Sequence, residues 1–259
     1  MSQARNTPLL RPLTARSVVA STLLGMDPPR LSAAALVASG EKFGVAPGTT
    51  RVALSRMVDA GELSTDDESY ALAGPLLERH ARQEEGRHPT ATSWNGDWRI
   101  AVVTTPARTA ADRASLRVAM ARLRMAELRE GVWIRPDNVP LDESTARRVV
   151  DAQCTWFTGA PEGELDVAEL FGLTDWSAVA SELLDALRTT GAPLRVRDAD
   201  ALGDTFVVAA ATTRHLTLDP LLPRELLPKG WPGPDLRRAY DTYQRDFAAT
   251  WRAWYRSTR

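Results

Sequence analysis

The chain has 259 residues, of which 44% are hydrophobic and 25% charged; this is ordinary globular composition, long enough for two or three small domains. A net charge of −1 excludes a polycation, so nucleic-acid binding must come from a local patch. The single cysteine, Cys154, excludes an internal disulfide and a Cys-rich zinc module.

The first helix is expected from Leu13 to Leu24, with Leu13, Val18, Val19 and Leu23 near helical spacing and Gly25-Met-Asp-Pro-Pro29 as its stop. A second short helix is expected over Leu31–Phe43. Gly44–Gly48 is a turn, and Thr49–Ala60 a third helix closed by Gly61. Glu62–Ser64 and Ser69–Leu72 read as two strands around the polar turn Thr65-Asp-Asp-Glu68. Three helices and a hairpin make a winged helix-turn-helix, placed at residues 13–83. A linker is expected over Glu84–Thr92. Trp98–Thr104 and Gly131–Arg135 are strands rich in β-branched residues, separated by a helix that Thr109 and Asp112 cap. A helix near Glu143–Arg148 and a strand around Ala152–Phe157 complete a small ferredoxin-like α/β unit over residues 93–160. After a second linker, Pro161–Glu164, residues 165–259 read as mainly helical. Trp176, Val179, Leu183 and Leu187 form a stripe closed by Gly191 and Pro193, and Phe206–His215 is read as helix. The last helix, about Asp235–Arg256, carries Leu236, Tyr240, Tyr243, Phe247, Trp251 and Trp254 in steps of three or four; this face suits either core or a dimer interface. The fold class is therefore α+β.

The third helix carries the chemistry. Leu54 and Met57 fall on one side, with Thr50 at the same spacing. Thr49, Arg51, Val52, Ser55 and Arg56 fall on the other. A recognition helix needs this division: an apolar face to fix it on a scaffold, and an outer face of donors. The arginine fork matches guanine, and hydroxyls match phosphate oxygens. Thr49, Thr50, Arg51, Ser55 and Arg56 are the DNA-binding candidates. Residues 1–60 hold seven basic and three acidic side chains, which favours an anionic partner. The acidic wing tip, Asp66-Asp67-Glu68, should be repelled by phosphate, so the wing is not expected to enter a groove deeply.

Three passages carry a family resemblance. The first is Arg16-Ser-Val-Val-Ala-Ser-Thr-Leu-Leu-Gly25 with Phe43-Gly-Val45 and Thr50-Arg-Val-Ala-Leu-Ser-Arg-Met57. The second is Trp94-Asn-Gly-Asp-Trp98 with Gly131-Val-Trp-Ile-Arg-Pro136. The third is Asp219-Pro-Leu-Leu-Pro-Arg-Glu-Leu-Leu-Pro-Lys-Gly-Trp-Pro-Gly233. In this order they resemble the PaaX family of regulators, named for repression of phenylacetic acid catabolism. The resemblance implies a winged helix, a central domain similar to the Cas2 ferredoxin fold and a helical C-terminal domain. It also implies a homodimer on double-stranded, near-palindromic operator DNA, acting as a repressor released by an aryl-CoA thioester such as phenylacetyl-CoA. The acidic wing and Met57, where leucine is usual, depart from the family pattern.

An effector site is sought in the central region. Arg113, Arg117 and Arg124 suit CoA phosphates, and Trp94, Trp98 and Trp133 suit an aryl group; the tryptophans also read as core anchors. No catalytic residue, metal or cofactor is expected. A metal-dependent nuclease on the Cas2-like domain would want an acid where the first central strand ends, and Thr104-Thr105 stands there. A winged-helix adaptor without DNA binding is the other alternative, supported by the acidic wing. Met1–Pro12 lacks the apolar core of a secretion signal, and no run approaches the ~18 apolar residues of a membrane span. A cytoplasmic protein with no membrane partner is expected.

Overall fold

A computed structural model describes residues 14–66, 68–90, 92–140 and 144–258. Leu13, Asp67 and Glu143, each part of an expectation above, lie outside the described residues.

Thr14 caps α1 (Ala15–Leu24) by accepting from the Ser17 amide, and Ser32 caps α2 (Ala33–Lys42) through the Ala35 amide. Between them runs β1 (Arg30–Ser32), so α2 starts two residues later than its apolar pattern suggests. Pro47 opens α3 (Pro47–Asp59) at a position where no backbone donor is needed. β2 (Leu63–Thr65) and β3 (Ser69–Leu72) form the wing, and β1 pairs on the far side of β3, giving the order β1-β3-β2. Val19, Leu23, Leu36, Leu54, Met57, Leu63 and Leu72 form the core beneath. Helix α4 (Gly74–Arg87) adds Leu76 to that core. It also absorbs Glu84–Arg87, the first half of the expected linker. Gly74 starts it where a Cβ would stand 2.5 Å from the Gly61 carbonyl oxygen; only glycine tolerates so close a backbone approach at φ +43.

The central sheet comprises β4 (Trp98–Val103), β5 (Ala126–Arg129), β6 (Val132–Pro136) and β7 (Cys154–Gly159), with α5 (Ala110–Arg122) and α6 (Thr145–Asp151) as crossovers. The order β5-β6-β4-β7, antiparallel throughout, is that of the ferredoxin-like fold. β5 was not apparent in the sequence because Ala-Glu-Leu-Arg carries no β-branched residue. The capping box at α5 is formed by Thr109 and Asp112. Ala101, Leu116, Met120, Trp133 and Val150 fill the space between helices and sheet.

Helix α7 (Val167–Leu170) is a single turn. α8 (Leu173–Arg195) runs through Gly191 and Pro193 rather than stopping at them. The reason is packing: a Cβ on Gly191 would stand 3.0 Å from the Tyr243 ring. Tertiary contact offsets a propensity cost of about 1 kcal/mol at the glycine and about 3 kcal/mol at the proline. Val179, placed in the stripe of that helix, is exposed. α9 (Leu202–Thr217) and α10 (Gly233–Ser257) complete the chain. The aromatic stripe of α10 is core: Leu236, Tyr240, Tyr243, Phe247 and Trp251 are all buried.

The chain forms two compact units. One comprises the described residues up to Arg87 with Glu182–Arg214 and the described residues from Asp235 on; here Trp251 donates its indole N–H to Ser39 at 3.0 Å. The other comprises His88–Ser181 and His215–Pro234. Its Pro-rich passage is tied to the central sheet by Asn138 Nδ2 donating to the Leu221 carbonyl at 2.8 Å and Arg124 Nε donating to the Asp219 carbonyl at 3.0 Å. Trp231 stacks on Trp176 at 4.4 Å, and His215 stacks on the same indole at the same distance. His215 is thus a buried packing residue, and burial lowers its pKa.

Candidate nucleic-acid interface

Helix α3 divides by burial as its spacing predicts. Leu54 and Met57 are fully buried against α1 and α2, while Thr49, Arg51, Val52, Ser55 and Arg56 are exposed. Thr50 departs from the candidate group. It is 0% exposed, and its side chain lies so close to Gly40 of α2 that a Cβ there would meet Oγ1 at 2.2 Å. Thr50 sets the spacing of α2 and α3, and its hydroxyl faces the scaffold. Arg51 and Arg56 have no carboxylate partner among the described residues. Val52 leaves an aliphatic group 51% exposed between them. A bare isopropyl between two unneutralised guanidinium groups can meet apolar base edges while the arginines reach guanine or phosphate.

One of the wing-tip acids, Asp66, is engaged within the domain. Asp66 accepts from the amides of Glu68 and Ser69 at 3.1 and 2.7 Å and from the Ser69 hydroxyl at 3.0 Å, and it pairs with Arg30 of β1. These bonds, the Glu68 amide first, hold its pKa down to about 2. Its lone pairs are committed to the hairpin. At the wing base, Arg16 and Glu62 pair at 2.5 Å. The Arg16 bond lowers the Glu62 pKa.

The six effector candidates do not converge. Strand register sets Ala101 opposite Trp133 and Trp98 opposite Pro136. Neighbouring residues on a strand face opposite sides, so Trp133 lies on the helix-covered face, in the core, and Trp98 on the other. Trp98 meets Trp94 edge to face at 6.1 Å, and the Trp94 indole donates to the Asp97 carbonyl at 2.6 Å. The Trp94-Asn-Gly-Asp-Trp98 passage is therefore the turn that launches β4. Arg113 and Arg117 are exposed on α5, and Arg113 donates to the Arg108 carbonyl. Arg124 lies beyond the end of α5, at φ +55, bonded to Asp219. The sequence also missed Arg135, 1% exposed, which donates to the carbonyls of Leu123 and Pro136 and to Asn138 Oδ1. A long polar residue within an apolar strand was its only signal. At the end of β4, Thr104 bonds Thr155 at 3.1 Å. Among the described residues no group of three or more His, Cys, Asp or Glu gathers as a metal site.

Comparison with known proteins places the architecture. Family models described as PaaX-like protein, PaaX protein central Cas2-like domain and PaaX-like protein C-terminal domain match residues 14–76, 91–171 and 173–257. The chain belongs to the PaaX family. This is a transcription-regulator family, and its three successive regions account for the mixed α+β fold. The chain is also similar to a solved structure, uncharacterized protein Rv0674 from Mycobacterium tuberculosis. The two share 41% identity at a TM-score of 0.76, over 93% of this chain and 98% of that one. No curated protein matches. No helix among the described residues of this PaaX-family protein is long and apolar enough to cross a membrane.

Proposed function

We propose that this PaaX-family protein is a cytoplasmic, sequence-specific regulator that binds double-stranded operator DNA as a homodimer. It represses transcription until a small acyl-CoA or aromatic effector, phenylacetyl-CoA among the candidates, releases it. The carrying observation is the outer face of α3, where Thr49, Arg51, Val52, Ser55 and Arg56 are exposed and the two arginines lack carboxylate partners. Residues 13–83 read the DNA. Residues 93–160 are the candidate dimerisation region, and residues 165–259 complete the chain. The effector acts by binding the released state better than the DNA-bound state, since only such a difference shifts the equilibrium.

The test is a gel shift with the DNA upstream of the protein's own gene, with and without phenylacetyl-CoA. A specific shift is expected, lost with the thioester. Arg51→Ala should weaken specific binding by about 1–3 kcal/mol if Arg51 reads a base; unchanged affinity removes Arg51 from the interface. No shift at low salt with any upstream fragment would favour a winged-helix adaptor.

A further inference from the structure

Within the first unit, α1 and α4 of the winged helix face α9 and α10 across a cleft. It has a volume of about 50 Å³, or about 500 Å³ with its open mouth. Leu24, Phe206, Tyr243 and Phe247 supply apolar and aromatic walls, and Arg79 and Gln244 are among its polar lining. Arg79 has no hydrogen-bond or carboxylate partner among the described residues. Arg79 is an exposed residue of the cleft; partial desolvation works against its charge, and so do the neighbouring cations Arg214, Arg82 and Arg16. Arg16 is answered by Glu62 and Arg82 by Glu78; Arg79 is answered by nothing described. The amide oxygen of Gln244 is buried and accepts no hydrogen bond among the described residues, so a donor on a bound molecule would satisfy it.

We propose that this cleft binds a small organic carboxylate that has an apolar body and an O–H or N–H donor. The carboxylate pairs with Arg79 through the guanidinium fork, the body lies on Phe206 and Phe247, and the donor reaches Gln244 Oε1. Part of the ligand lies in the mouth, because the inner volume is only about a third of the ~150 Å³ that accommodates benzene. The ligand would touch α1 at Ser21, Leu24 and Gly25. The buried side of α1, Val19 and Leu23, shares one core with Leu54 and Met57 of α3. Occupancy of the cleft therefore bears on α3 through one helix. That regulatory consequence rests on the DNA-binding reading; the site itself does not.

The test is calorimetry on the full chain without DNA, using 4-hydroxybenzoate, benzoate, acetate and phenylacetyl-CoA. Saturable binding of 4-hydroxybenzoate is expected, weaker for benzoate, which lacks the donor, and absent for acetate. Arg79→Gln should raise the dissociation constant by about tenfold or more with an unchanged circular dichroism spectrum and melting temperature. Gln244→Leu should bring the two benzoates together. Equal affinity in Arg79→Gln, no binding of either benzoate, or acetate binding as well as they do (an adventitious ion only) overturns the proposal. Binding of the thioester alone overturns the carboxylate assignment and leaves the regulator reading standing. Carboxylate binding by a protein that shifts no DNA does the reverse.

Discussion

Asp66 shows how little a residue's formal charge says before its partners are known. By composition it belongs to an acidic tip facing phosphate; in the folded chain two amides, a hydroxyl and Arg30 surround its carboxylate. Its pKa of about 2 lies below the ordinary value near 3.9. The group therefore contributes stability above about pH 4, and the contribution is lost as pH falls toward 2. Carbon-detected NMR titration should place the Asp66 midpoint near 2. Arg30→Gln should move it only slightly, because the Glu68 and Ser69 amides are the larger causes. A midpoint near 4 in that variant would assign the depression to the ion pair instead. Arg135 makes the same point in the core. Its charge is buried, and three of its hydrogen bonds end on neutral oxygens of Leu123, Pro136 and Asn138.

Among the elements, α2 and α3 pack closely at one point. Gly40 and Thr50 meet where one added methyl would overlap a hydroxyl. Gly40→Ala would gain about 0.5–1 kcal/mol of helix propensity. Overpacking costs about 1–3 kcal/mol, so the net change should be a loss. Urea unfolding measures it, and Thr50→Ala in the same chain should recover part of the loss. Gly40→Ala at full stability would mean that the helices separate without cost. This contact also bounds what periodicity can convey. The faces of α3 and α10 followed from spacing, since burial repeats with the helical turn. Thr50 has that spacing too, yet its hydroxyl let it pass for a DNA contact. Spacing cannot say that a glycine ten residues earlier leaves room for it. Trp98 and Trp133 were grouped by chemistry alone, and register across two strands, which no local pattern encodes, puts them on opposite faces. The cleft of Arg79 was invisible for the same reason: its lining comes from α1, α4, α9 and α10, widely separated in sequence.

At the scale of the whole molecule, a net charge of −1 leaves little long-range attraction to DNA, and the proposed binding depends on a few arginines. The salt dependence should then be modest. Arg56→Ala should lower the slope of log affinity against log salt by about one, uniformly across sequences, if Arg56 meets a phosphate. An unchanged slope would place Arg56 outside the contact. The lone sulfhydryl is engaged in the core of the central sheet. Cys154 is buried at the start of β7, beneath α5 and α6, and burial raises its thiol pKa. Thiolate reactivity needs both exposure and ionisation, so alkylating reagents reach this sulfur only when the central sheet opens. The chain thus carries a built-in clock for local unfolding. An engineered cysteine at Val52 would take a fluorophore selectively, reporting on the outer face of α3 while the native thiol stays silent.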